Sequence, residues 1–377
     1  MKTGILATLL LITLVGCSDR RESTAGAAID KPPAVDVTAG KAIAERDCKA
    51  CHGLDGKGAA PGIPNVAAQR DRYLLASLKE YTEAKRVHPA LIDMTANMSE
   101  ADMRNVVAYY AGLPPIAGVA GKDLKVSSPY EDGKALAATC TKCHGEAGNS
   151  RTPGMPSLAG QQPHYLVAAI QEYHQGERKT APMKSMLTGS DRLQLEKLAL
   201  YFASQTPAQR PPPAFGNPEA GKVTITFCGG CHGSDGVSRD ASTPSLAGQD
   251  PQYLVKAIKA YRTTRQHGGV HRYVAGLSNQ DIVDIAAFYA IQKPLAADNV
   301  PSSTPELAQK CNRCHDADNA TVTAPKMRGQ DKDYLVMALR AYRDGKRESS
   351  TMHNMSSIYR NALIDTIATW YAGQPAK

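Results

Sequence analysis

Four stretches decide the reading of this chain: Cys48-Lys-Ala-Cys51-His52, Cys140-Thr-Lys-Cys143-His144, Cys228-Gly-Gly-Cys231-His232 and Cys311-Asn-Arg-Cys314-His315. Nine cysteines are present, and Cys17 is the one these stretches leave over. Cys-x-x-Cys-His is the spacing at which haem c is attached. Residues three apart share a helix face, so both thiols reach the two vinyl groups of one porphyrin. The next residue, His, is then carried beneath the iron as its proximal ligand. A zinc reading needs Cys-x-x-Cys units that converge in pairs, yet the first cysteines stand 92, 88 and 83 residues apart. A thiol-redox reading leaves the His after every second Cys without a reason. The motifs assign four covalent haem c groups, with His52, His144, His232 and His315 as iron ligands.

The rest of the chain repeats in step with the motif. Each unit continues with a Pro-to-Gln stretch: Pro64–Gln69, Pro156–Gln161, Pro244–Gln249 and Pro325–Gln330. Tyr-Leu follows at Tyr73, Tyr165, Tyr253 and Tyr334, then a second Tyr at 81, 173, 261 and 342. Each unit closes on an aromatic pair: Tyr109-Tyr110, Tyr201-Phe202, Phe288-Tyr289 and Trp370-Tyr371. Apolar residues recur at three and four, which argues amphipathic helices and an all-α chain. A period of about 80 residues means tandem domains, since solenoids repeat every 20–50 or so.

Composition agrees. With 42% hydrophobic and 21% charged residues, wholesale disorder and a multi-span membrane protein are excluded. Four Phe and one Trp in 377 residues cannot fill four cores with rings, so each porphyrin would supply apolar bulk. The net charge of +8 is offset by haem propionates, and no aromatic-interleaved basic stripe supports nucleic-acid binding. Pro-rich spacers at 113–129, 206–218 and 294–305 block helix continuation and stiffen the joints. They are expected to hold haems of sequence neighbours near one another.

At the N-terminus, Met1-Lys2 precedes an apolar run, Ile5–Val15, shorter than the roughly 20 residues that span a bilayer. Residues 1–16 read as a signal peptide. Leu14-Val15-Gly16-Cys17 resembles the bacterial lipoprotein cleavage box, which implies a lipid on Cys17; the alternative is an ordinary signal with a chance Cys. Residues 17–34 would be a tether, which places the protein in the periplasm, lipid-anchored to an envelope membrane.

The units resemble class I cytochrome c domains, particularly those of periplasmic dihaem cytochromes, present here four times at 35–114, 127–205, 217–294 and 304–377. The resemblance implies a small all-α wrap around each haem. It also implies that the carbonyls of Pro64, Pro156, Pro244 and Pro325 accept the proximal His ring N–H, and that a Met completes the iron. Met94 and Met186 each lie 42 residues after their motif His and Met355 lies 40 after; Met183 and Met352 are the substitutes. Met98, Met103 and Met337 read as core filler.

Domain three has no Met between Met186 and Met327. Its aligned residue is Tyr273, and His271, 39 residues after His232, is the expected ligand; His267, Tyr273, a Lys or an open position are the alternatives. Imidazole in place of thioether lowers the reduction potential. The basic residue five after the second Tyr is Arg86, Arg178 or Arg347, with Gln266 in domain three; these arginines either bind a propionate or cap a helix.

No triad, paired-carboxylate site or nucleotide loop appears. The expected function is electron transfer through four haems. Partners by resemblance are other cytochromes, a dehydrogenase, a quinol–cytochrome c reductase or a terminal oxidase. The alternative is a multihaem oxidoreductase of the peroxidase or sulfur-compound type with the third haem as active site.

Overall fold

A computed structural model describes residues 34–116, 126–240, 242–265, 267–296, 304–316, 323–357 and 360–376. The signal segment, Cys17, nearly all of the tether, Gln266 and the middle of the first spacer lie outside the described residues. Among those described the chain is helical, with no strand and one isolated bridge, Arg86 to Arg347.

Four modules follow one plan: an N-terminal helix, a cysteine helix, a Pro-to-Gln loop, a Tyr helix, a short helix and a C-terminal helix. Module 1 has α1 (Val37–Ile43), α2 (Lys49–His52), α3 (Asp71–Thr82), α4 (Pro89–Ala96) and α5 (Glu100–Ala111). Module 2 has α6 (Pro129–Ala137), α7 (Thr141–His144), α8 (Pro163–Gln175), α9 (Ala181–Leu187) and α10 (Arg192–Ser204). Module 3 has α11 (Pro218–Thr224), α12 (Gly229–His232), α13 (Pro251–Ala260), α14 (Gly268–Ala275) and α15 (Asn279–Ile291). In module 4 the first two helices fuse into α16 (Thr304–His315), before α17 (Lys332–Arg343), α18 (Ser350–Ser356) and α19 (Asn361–Ala372).

Caps in the sequence start these helices. Ser99 with Asp102, Asp191 with Gln194 and Ser278 with Asp281 form capping boxes on α5, α10 and α15, and Pro opens α4, α6, α8, α11 and α13. In three modules the N-terminal helix meets the C-terminal helix at a glycine. A Cβ on Gly40, Gly133 or Gly221 would lie 2.1, 2.2 or 2.1 Å from the carbonyl oxygen of Asn105, Lys197 or Asp284; only a residue without one permits the approach. Gly40 stands eight residues before Cys48, against seven for the other two glycines. The extra residue is taken up as a π turn at Ala44–Cys48.

The modules pair out of sequence order. Module 1 packs on module 4, and module 2 on module 3, through the glutamine of each Pro-to-Gln loop. Gln330 Oε1 accepts from Asn65 N (2.7 Å) and its Nε2 donates to Asn65 O (2.8 Å). Gln69 does the same to Lys326 (2.7 and 3.0 Å). In the other pair Gln249 clasps Ser157 (2.7 and 2.8 Å) and Gln161 clasps Ser245 (2.8 Å both). All four amides are 6–8% exposed. Glutamate lacks the donor these pairs need, and asparagine is one methylene short.

A third interface joins modules 2 and 4. Leu200 of α10 belongs to the module 4 core with Leu335, Ile364 and Tyr371, and Leu193 and Tyr130 pack against it. α19 has no capping side chain from its own N-cap, Arg360. Glu196 of α10, fully buried, accepts from Ala362 N at 3.0 Å and Asn361 Nδ2 at 3.3 Å instead. These contacts merge the modules into one unit, Asp36–Lys377. The expectation that spacers hold sequence neighbours together is met for modules 2 and 3; module 1 is instead clasped to module 4.

Gly133→Val forces apart α6 and α10, and overpacking of this kind costs about 1–3 kcal/mol. Denaturant unfolding of the holoprotein should show a loss of that size, and an unchanged midpoint would mean that α6 does not touch α10 in solution.

Candidate metal centres

The cysteine helices place the two thiols of each motif differently. Cys48, Cys140, Cys228 and Cys311 are half-buried against the module cores, whereas Cys51, Cys143, Cys231 and Cys314 are exposed, and all eight are free. Burial pushes the Cys48 thiol up to about 11 and raises Cys140, Cys228 and Cys311 as well. Thiol-disulfide chemistry uses a thiolate with a lowered pKa, so the first cysteines oppose that reading.

Each histidine ring is held by one bond. Nδ1–H of His52, His144, His232 and His315 donates to the carbonyls of Pro64 (3.0 Å), Pro156 (2.9 Å), Pro244 (2.8 Å) and Pro325 (2.7 Å). A carbonyl only accepts, so the proton is fixed on Nδ1 and Nε2 keeps its lone pair. Burial lowers all four rings below the ordinary histidine value, against the raising effect of the proline carbonyl. The ring–carbonyl bond that the resemblance implies is present in every module.

The clasp and the histidine share a peptide. The Pro64 carbonyl takes His52, and the N–H of the same peptide, on Asn65, goes to Gln330 of module 4. The other three modules repeat this through Ser157, Ser245 and Lys326. Counting along the sequence missed the glutamines, although one residue type recurring at one position in four units was the available signal.

The Met-bearing helices present their donors unequally. Met183 packs on the core cluster that also holds Cys140, while Met186 is 46% exposed. Met352 likewise packs on the cluster that holds Cys311, and Met355 is half-buried outside it. Met94 is half-buried on α4, and Met98 fills the module 1 core where module 3 has Leu277.

In module 3, His271 Nδ1–H donates to Tyr261 O at 3.0 Å, as His353 does to Tyr342 O at 2.8 Å in a Met-bearing module. That tie leaves the Nε2 lone pair of His271 free, as the proline carbonyls do for the motif histidines. His267 caps α14, accepting from Val270 N at 3.2 Å, and sets its ring edge-on to Tyr261; His88 does the same in module 1 with Leu91 N and Tyr81. His267 also lowers the His232 ring, in addition to burial. Tyr273 is 57% exposed and stacks on Phe227, 5.8 Å away.

The arginines lie over the paired tyrosines of their own modules. Arg86 lies over Tyr73 and Tyr81, Arg178 over Tyr165 and Tyr173, and Arg347 over Tyr342. Module 3 is no exception: Arg265, one residue earlier than the count to Gln266, covers Tyr253 and Tyr261. α13 ends at Ala260, two residues before the position matching Thr82 in α3, and the turn brings Arg265 round sooner. At the 1·4 interface Tyr73 and Tyr334 hydroxyls meet at 3.2 Å, and Arg347 Nη2 donates to Tyr73 at 3.2 Å. Against the upward push of burial, Arg347 and Arg86 hold Tyr73 below the ordinary tyrosine value. The buried Nε of Arg347 finds no partner among protein atoms. Such an orphaned donor fits a bound group that carries carboxylates.

Together the residues fit haem c: two thiols a helical turn apart, an imidazole with a free Nε2 and, in module 4, an Arg347 donor for a propionate, while Arg86 and Arg178 are ion-paired with Glu80 and Glu172. Bound there, the group supplies one-electron chemistry. The chain's share is to orient each imidazole, keep it neutral and enclose the site. Mass measurement of the holoprotein should give four haem additions, and Cys228→Ala with Cys231→Ala three; any other count contradicts the assignment.

The family model for cytochrome c matches residues 37–113 and 130–204. Cytochrome c4 of Pseudomonas aeruginosa is 35% identical over 170 residues, 41% of this chain and 85% of that protein. The thiosulfate dehydrogenase electron acceptor of Thiomonas intermedia is 28% identical over 172 residues, 42% of this chain and 78% of that protein. The crystal structure of reduced recombinant cytochrome c4 from Pseudomonas stutzeri gives a TM-score of 0.40 at 30% identity, covering 44% of this chain and 98% of that one. With four attachment motifs, a histidine locked under each and a relative matched over most of its length, the chain belongs to the class I c-type cytochromes, as a tandem-domain electron-transfer protein that carries four haem c groups.

Proposed function

We propose that the chain is a tetrahaem carrier that passes electrons between redox partners of the bacterial cell envelope. The observation that carries this reading is the repetition of one locked imidazole in four modules. The domains are taken as 35–114, 127–205, 217–294 and 304–377. An N-terminal lipid on Cys17 would hold it to a membrane; no helix among the described residues is long and apolar enough to cross one. Similarity to a protein named as a dehydrogenase's electron acceptor supports partners of the dehydrogenase, cytochrome, quinol–cytochrome c reductase or terminal oxidase kind.

For the sixth ligands, Met94 serves module 1. Met186 and Met355 stand five residues before the N-caps Asp191 and Arg360, as Met94 stands before Ser99, and this shared register supports them, while Met183 and Met352 pack on the module cores. In module 3 the bond of His271 Nδ1–H to Tyr261 O leaves its Nε2 lone pair free and supports His271, whereas His267 spends its Nδ1 lone pair on capping α14, as His88 does on α4, which puts its proton on Nε2. Bis-imidazole ligation would make module 3 the low-potential centre. The second reading, an oxidoreductase with module 3 as active site, is favoured by the lack of a Met in its distal loop.

Electron paramagnetic resonance of the oxidised holoprotein separates the readings. The carrier is expected to show four low-spin centres, and a persistent high-spin signal assigned to module 3 supports the oxidoreductase. His271→Ala should turn the module 3 centre high-spin while His267→Ala leaves it low-spin, and the reverse outcome selects His267. Met186→Leu should remove module 2's thioether-to-iron absorption and Met183→Leu keep it.

A further inference from the structure

Adjacency in this molecule follows 1, 4, 2, 3. The 1·4 and 2·3 contacts are the reciprocal glutamine clasps, and each module spends its own Pro-to-Gln loop on one partner. Each clasp joins a peptide that is bonded to one motif histidine to the glutamine of the partner module. From His52 it runs through the Pro64 carbonyl and the Asn65 N–H to Gln330; from His315 it runs through the Pro325 carbonyl and the Lys326 N–H to Gln69. Further bonds reinforce each clasp. Gly62 N donates to Asp331 Oδ1 and Gly154 N to Asp250 Oδ1, both at 2.8 Å. Arg70 reaches the carbonyls of Cys314 and Ala324, and Gln162 that of Ser238. Modules 4 and 2 meet differently, helix against helix, with Leu200 of module 2 inside the module 4 core and Glu196 capping α19.

We infer that electrons traverse the chain in the order module 1, 4, 2, 3, or its reverse, so that modules 1 and 3 are the ports and modules 4 and 2 the interior relay. This rests on the carrier reading above. In each hop one electron leaves a reduced module and reduces its spatial neighbour. A one-electron redox protein supplies the electron at one port, and a second one removes it at the other. Sequence order would instead make modules 1 and 4 the ports. The module that lacks a distal-loop Met, module 3, then stands at a terminus and not inside the relay.

Two measurements on the holoprotein test the order. Lys85 of module 1 and Glu348 of module 4 are both exposed, and they flank the antiparallel bridge of Arg86 to Arg347. Carbodiimide treatment followed by mass spectrometry is expected to join them; cross-links from module 1 to module 2 with none to module 4 overturn the order. Pulsed dipolar electron resonance of variants that lack one haem gives the second test. Removing module 4's haem (Cys311→Ala with Cys314→Ala) should leave module 1's iron without a coupled neighbour, while removing module 3's (Cys228→Ala with Cys231→Ala) should leave three coupled irons. Serial order requires the opposite: three coupled irons after the first change, and an isolated module 4 after the second. If the dipolar map follows 1, 4, 2, 3 but no protein donor reduces the chain, the carrier reading fails and the spatial order stands.

Discussion

One peptide group in each module carries two loads. Its carbonyl, on the proline after the haem motif, fixes the tautomer of the motif histidine, and its N–H is held by a glutamine from another module. Hydrogen bonds in series polarise one another in a low-dielectric interior, so the basicity of each imidazole depends in part on a residue of the partner. The site and the assembly are therefore one construction. A module without its partner would keep the histidine but lose half of what orients its support.

The cores explain why assembly matters. Buried apolar residues are fewest in module 1, where Ile43, Ala44, Met103, Val106, Val107 and Tyr110 make up its core. The porphyrin supplies part of the missing apolar bulk, and neighbouring modules supply more. Glu196 shows how closely modules 2 and 4 depend on each other. A buried carboxylate is costly in an apolar setting, but this one faces the open amides of α19, where the helix dipole favours an anion. It does for α19 what Ser99, Asp191 and Ser278 do for the other C-terminal helices.

What the sequence discloses is what local geometry controls. Helices, caps, the attachment motifs and the proline acceptors depend on residues close in the chain, and spacing reveals them. The clasps do not: Gln69 and Lys326 are 257 residues apart, and nothing local distinguishes a partner in module 4 from one in module 2. Counting also slips where the backbone absorbs or drops a residue. The π turn before Cys48 hides an extra one, and the early end of α13 moves the arginine of module 3 from the counted Gln266 to Arg265. The register of Met94, Met186 and Met355, five residues before the next helix's N-cap, is legible from spacing, whereas the core packing of Met183 is not.

Amide hydrogen exchange in the fully reduced, diamagnetic holoprotein tests the shared peptide most directly. Asn65, Ser157, Ser245 and Lys326 sit in loops without helical bonding of their own, and they are expected to exchange slowly, like core helix amides. Gln330→Leu should release Asn65 and leave Ser157 and Ser245 protected. Fast exchange at these four amides in the unsubstituted protein, at the rate of open loops, would show that the clasps do not form and that the histidines are positioned by each module alone.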